Sequence, residues 1–207
     1  MKTIAILNQK GGSGKTTLTI NLAYALQQDG NKVLIVDSDP QGSVRDWNNE
    51  TKGAVVPVVG LDRASLATDI KALTNNYDFI IIDGAPQLST HMVAAVKSAD
   101  VILIPVKPSS LDLWASSDLV EIIKQRQEIV AGLQVAFVVS QAIKNTKLAD
   151  EVTKVLAEYG LPALSAQIIN RVAYASSISD GKTVFHTGDK NAQKEINSIK
   201  QELLQWD

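Results

Sequence analysis

Residues 8–17 read NQKGGSGKTT. A glycine-rich stretch ending in Gly-Lys-Thr is suited to phosphate. With no side chains in the way, the backbone N–H groups of Gly11, Gly12 and Gly14 can converge on phosphate oxygens. Lys15 would then reach the β- and γ-phosphates of a nucleoside triphosphate, and the Thr16 hydroxyl would ligate magnesium. The expected nucleotide contacts are Gly11, Gly12, Ser13, Gly14, Lys15, Thr16 and Thr17. The stretch departs from the usual pattern in two places. Position 9, where a glycine is expected, is Gln9, and a second lysine, Lys10, stands where phosphate binding requires none.

Two acidic stretches extend the same chemistry. VDSDPQGS places Asp37 and Asp39 two residues apart at the end of an apolar run, and FIIIDGAP places Asp83 after four apolar residues. Read alone, Asp-x-Asp-Pro is most often a turn. Behind a phosphate loop and a buried strand, a carboxylate there can hold magnesium through water or orient an attacking water. Asp83 has the form of the strand-end carboxylate that approaches magnesium through its water shell.

These groups need a frame. Thr3–Leu7 and Lys32–Asp37 read as buried strands, and Leu18, Leu22, Ala25 and Leu26 recur between them at helical spacing, with Gly30 as a stop. Val55–Gly60 reads as a weak strand that Pro57 demotes to an edge. Asp62 is placed to cap a helix carrying Leu66, Ile70 and Leu73. Phe79–Gly84, Val101–Val106 and Val135–Ser140 are further strands. Between them fall a short helix around His91–Lys97 and a long one running to about Ala131. Lys147–Tyr159 reads as a helix, Leu164–Ile169 as a weaker strand, and two helical segments follow. Continuous apolar strands alternating with helices predict an α/β fold, a doubly wound, mostly parallel sheet with helices on both faces. With no linker, repeat or low-complexity tract, residues 1–207 read as one domain.

Composition agrees. The 207 residues are 45% hydrophobic and 20% charged, with few aromatics, no cysteine and a net charge of -2. A disulfide scaffold and a thiolate-held zinc or iron–sulfur site are excluded. No apolar run approaches the roughly 18 residues of a spanning helix, and the start is too short for a signal peptide, so a cytoplasmic location is expected. Nucleic acid could bind only to a local basic patch. Lys182, Lys190, Lys194 and Lys200 thicken the C-terminal quarter, and a solvated helix face explains them equally well. His91 and His186 are expected to be structural, and Trp47, Trp114 and Trp206 to pack.

KGGSGKTT resembles the deviant phosphate loop, KGGxGKTT, of the ParA/MinD-type ATPases, and the resemblance runs in order along nearly the whole chain. It implies ATP/ADP and Mg2+ as cofactors. It implies that Lys10 reaches across a nucleotide-sandwich homodimer to the partner's phosphates while Lys15 serves its own nucleotide. DSDPQ matches the family's DxDPQ, which gives Asp39 the role of positioning or activating water and Asp37 a place in the metal shell with Thr16 and Asp83. Where the family more often has Asp-Thr-Pro, this chain has Asp83-Gly84-Ala85-Pro86. PVKPSSLDLWASSDL resembles the proline-rich segment of small, ParF-like plasmid-partition members, which helps frame the nucleotide and gives Pro108 a nucleotide contact. IINRVAYASSISDGKTVF resembles their adenine-holding segment, with Arg171 stacked on the purine.

The resemblance implies a DNA-partition ATPase whose ATP-bound dimer binds DNA non-specifically at the nucleoid. Its partner would be a small centromere-binding protein of the ParB/ParG kind. The alternative is a MinD-like or other cargo-positioning ATPase. The phosphate loop begins near residue 10, so sequence-specific operator binding is not expected. The C-terminal stripe Ile196, Ile199, Leu203 and Leu204 reads as a core-packing face, not a membrane anchor, so no membrane partner is expected.

Overall fold

The computed structural model describes residues 1–207 except 64, 74–75, 110–115, 144–151, 153–154, 157 and 207. The apolar runs of the sequence are strands: β1 (Lys2–Ile6), β2 (Val33–Asp37), β4 (Phe79–Asp83), β5 (Val101–Val106) and β6 (Gln134–Val139). A short β3 (Val58–Gly60) joins them in the order β3-β2-β4-β1-β5-β6. Every pairing among these strands is parallel. The order reverses between β1 and its neighbours, which is where open sheets of this kind bind ligands.

Parallel strands buried on both faces must be apolar at every position, and here the alternation of side chains divides one run between two cores. Ala5, Val36, Ile82, Ile104 and Phe137 face one layer, made by α3 (Leu66–Leu73), α4 (Thr90–Ser98) and α5 (Ser117–Ile129). Ile4, Ile35, Ile81, Leu103 and Val138 face the other. That layer is α1 (Lys15–Gln28), α2 (Ser43–Glu50), α6 (Val172–Ser179) and α7 (Lys190–Leu204). The structure is therefore the doubly wound α/β sheet that the alternating pattern predicts. Pro57, which cannot donate to a ladder, immediately precedes the edge strand β3, and its carbonyl accepts from Ile35.

Three expectations change. Asp62 does not cap α3, which begins four residues later; its carboxylate instead pairs with Arg45. Residues 164–169 do not form a strand. Against β6 and its extension this stretch of chain makes isolated bridges, Phe137 with Ala163 and Ala142 with Ile169, and the Ile168 N–H donates to the Val139 carbonyl. The reason is that the N–H groups of Ser165 and Ala166 are taken by the Glu202 carboxylate on α7, at 2.8 and 2.6 Å. Lys200 is not a surface cation: it is buried, pairs with Asp29 at 2.6 Å and donates to the Ala25 carbonyl. Helix α2, which the sequence reading omits, buries Val44 and Trp47.

The C-terminal stripe does pack inward. Ile196, Ile199 and Leu203 are fully buried, while Leu204 is partly exposed. Trp47 is buried and its indole donates to the Lys182 carbonyl. Residues 110–115 of the proline-rich segment, including Trp114, and most of the expected helix Lys147–Tyr159 lie outside the described residues.

Candidate functional site

The phosphate loop is the turn from β1 to α1. Its sharpest point is Gly14, at φ 97°. That is the left-handed region, where glycine alone is comfortable. Space forbids a side chain as well: a Cβ on Gly14 would lie 2.5 Å from Ser140 Oγ. Opposite it, Gln141 donates to the Gly12 carbonyl at 2.8 Å. The loop is tied underneath by Asn8, fully buried, which donates to the Pro105 carbonyl and accepts the Lys10 N–H.

Lys15 starts α1 and is buried. Burial pulls its ammonium below the ordinary lysine range, against the opposing pull of Asp83 and Asp39. Among the described residues its amine hydrogen-bonds the Lys10 carbonyl alone, at 3.3 Å. A desolvated cation facing converging N–H groups is a site for an anion. Lys10 itself is exposed.

Asp83 ends β4 under the loop. Thr16 Oγ1 donates to one of its oxygens at 2.8 Å and Thr19 Oγ1 to the other at 2.9 Å. Burial is the largest effect on its carboxyl and pushes it up to about 7, with the Asp37 charge adding to the rise and the Thr16 and Thr19 bonds and Lys15 opposing it. A hydroxyl and a carboxylate at this spacing form a hard-oxygen pair of the kind magnesium takes. Gly84 follows, where a side chain has no room: a Cβ would meet Leu7 Cδ2 at 2.3 Å and the Ile6 carbonyl at 3.1 Å.

The two carboxylates after β2 separate. Asp39 lines the phosphate cleft. Asp37 is fully buried, and its carboxylate accepts the N–H groups of Asp39 and Arg45 and the Arg45 side chain. Burial raises its pKa, and the bonds and charge of Arg45 oppose the rise.

The cleft measures about 410 Å³, with Gly11, Gly12, Gly14, Lys15, Thr16, Thr17 and Asp39 among its walls. A second recess of about 220 Å³ continues from it past Gly14, Thr17 and Gln141 to Asn170, Arg171 and Tyr174. A nucleotide could place its phosphates in the first and its base in the second, since the two share Gly14, Thr17 and Gln141. Arg171 stands at the recess as expected, but its guanidinium is held by Glu195 at 2.7 Å and lies 3.7 Å from Asp189. Glu195 also accepts from the Tyr174 hydroxyl and the Ile169 N–H. Ser13 is buried beneath the loop, and Pro108, half-buried after β5, lines neither cavity.

Four residues escaped the sequence reading: Thr19, Arg45, Ser140 and Gln141. Thr19 falls one turn after Lys15 and Thr16 on α1, which a helical projection would have shown. Gln141 has φ 55° and sits after a strand, with no pattern to mark it. Among the described residues, no cluster of three His, Asp or Glu side chains stands ready to hold a metal without help from a ligand.

Residues 4–184 match the CobQ/CobB/MinD/ParA nucleotide binding domain. The chain belongs to this family. Among its ParA/MinD-type relatives, the maintenance of carboxysome distribution protein A of Halothiobacillus neapolitanus is 34% identical over 98% of this chain and 96% of its own. The apo form of the corresponding Cyanothece protein, McdA, superposes with a TM-score of 0.83 at 20% identity, over 98% of this chain and 99% of its own. A putative plasmid partition protein of Borrelia burgdorferi bound to AMPPNP gives 0.81 at 21% identity, over 99% and 98%. The structural likenesses extend the ParA/MinD-type fold to the whole described chain.

Proposed function

We propose that the chain is an ATP-hydrolysing positioning switch that distributes a large intracellular protein cargo, in the manner implied by the name of its carboxysome-distribution relative. The observation that carries this reading is the 34% identity to that protein over 98% of the chain. It moves the preference away from plasmid partition, which the phosphate-loop resemblance alone had favoured.

The residues fit Mg-ATP. Gly11, Gly12 and Gly14 present N–H groups, Lys15 offers a buried charge, and the Thr16 hydroxyl with the Asp83 carboxylate would hold magnesium. Bound there, the metal would draw charge from the β- and γ-phosphate oxygens. Asp39, at the cleft wall, would orient the attacking water. Lys10, exposed beside the loop, would contact the nucleotide of a second copy, so that ATP joins two chains. The dimer would bring together two sets of the exposed lysines Lys182, Lys190 and Lys194 and bind DNA without sequence preference, using the nucleoid as its track. A small partner protein on the cargo would stimulate hydrolysis.

Plasmid partition is the second reading, favoured by the likeness to the Borrelia protein. The two are separated by deleting the chain's gene in its host. Clumped or unevenly inherited protein bodies, with plasmids retained, support positioning. Plasmid loss with protein bodies still evenly placed would contradict it and support partition.

A further inference from the structure

One side chain grips the loop from β2 to α2 that carries both Asp37 and Asp39. Arg45 Nε meets Asp37 Oδ2 at 3.3 Å, and the Arg45 backbone N–H donates to the same oxygen at 3.0 Å. Its Nη2 donates to the Asp39 carbonyl at 2.8 Å and to Asp62 Oδ2 at 3.2 Å. The guanidinium lies over two glycines. A Cβ on Gly60 would come 2.9 Å from Arg45 Cδ, and one on Gly42, which is at φ 72°, would come 3.1 Å from Nε. Both positions leave room for the arginine. A planar fork of donors suits a task with three acceptors in different directions, which a lysine's single ammonium cannot span. Arg45 does not itself line the phosphate cleft, whereas Asp39 and Gln41 do.

We propose that Arg45 is a positioning residue for the hydrolytic loop: by clamping the buried Asp37, the Asp39 carbonyl and Asp62 together, it holds the Asp39 side chain at the cleft wall. This rests on the reading in which Asp39 orients water for ATP hydrolysis. It assigns Asp37 the part of buried counter-ion to Arg45 instead of a place in the metal shell. The phosphate-loop contacts come from α1 and its preceding turn, on another part of the chain. Removing Arg45 therefore slows the chemical step and leaves nucleotide affinity in place. A side chain that merely stabilised the fold would not separate the two.

The test is steady-state Mg-ATP turnover and ADP affinity of the full chain and four variants. Arg45→Gln is expected to lower kcat on the order of tenfold, with KM and ADP affinity within about twofold. Arg45→Lys should recover part of the loss, because it keeps the ion pair with Asp37 and loses the bridge to Asp62. Arg45→Gln leaves a buried charge unpaired and is at risk of unfolding. The double variant Arg45→Gln/Asp37→Asn removes both charges, and it should fold while keeping the low kcat. A folded variant without Arg45 that has wild-type kcat, or one whose only defect is a raised KM, overturns the proposal. Asp39→Ala separates the two levels. If Asp39→Ala turns over at the wild-type rate, or the wild type itself has no turnover, the hydrolysis reading fails and takes the proposal with it. If Asp39→Ala is inactive and the Arg45 variants are not, the Arg45 proposal fails alone.

Discussion

Asp83 is a buried carboxyl at the heart of the site, and its burial has a measurable consequence. In the folded chain its carboxyl is raised to about 7 by burial, far above an ordinary aspartate. Below about pH 4 it is protonated folded or unfolded and costs nothing. Between about pH 4 and 7 the unfolded chain loses the proton and the folded chain keeps it, so stability falls, by at most about 1.4 kcal/mol per pH unit, and levels off above. Denaturant unfolding at a series of pH values should show this slope, and Asp83→Asn should flatten it. An unchanged slope in the variant would assign the effect elsewhere. The same carboxyl must ionise to meet magnesium, so Mg-nucleotide binding should tighten as pH rises toward about 7. Asp83, Lys15 and Thr16 were legible in the sequence because their chemistry fixes their spacing. Gln141 was not, because its partner Gly12 is far away in sequence, and Arg45 was not, because its nearby partners Asp37, Asp39 and Asp62 follow no spacing that marks it. Asp37 was legible as a strand-end carboxylate, but the Arg45 that occupies it was not.

The elements were easiest to read where burial leaves little choice. Strands β1, β2, β4, β5 and β6 are continuous apolar runs because helices cover both faces. Helix α2 escaped because only Val44 and Trp47 face inward on an otherwise polar segment. Residues 164–169 looked like a strand because they are apolar, but side-chain carboxylates from α7 take backbone donors a ladder would have used. Gly14→Ala puts a Cβ 2.5 Å from Ser140 Oγ at φ 97°. That should cost about 1–3 kcal/mol and abolish ATP binding in a calorimetric titration; normal binding would mean the loop tolerates a different conformation. Ile199→Ala truncates a fully buried side chain of α7. It should lower unfolding free energy by about 2–5 kcal/mol. A loss under about 0.5 kcal/mol, as at surface sites, would mean that α7 is not docked as a core helix.

For the molecule as a whole, the proposed function depends on two chains meeting. The net charge of -2 gives no general attraction to DNA, so the proposed affinity would come from concentrated lysines. Lys182, Lys190 and Lys194 remain exposed, while Lys200 is spent on Asp29. Binding to an arbitrary duplex should require ATP and weaken steeply with salt. Lys190→Glu with Lys194→Glu should reduce both the affinity and the salt slope. Equal binding in ADP and ATP would detach DNA from the switch. Lys10, a lysine the chain's own phosphate site does not need, is proposed to join two copies through ATP. The most direct measurement is sedimentation of the wild type and Lys10→Ala with Mg2+ and either ADP or a non-hydrolysable ATP analogue. A wild-type dimer is expected with the analogue alone, and a Lys10→Ala chain that still binds ADP but stays monomeric in both. A Lys10→Ala dimer as tight as the wild type's would contradict it.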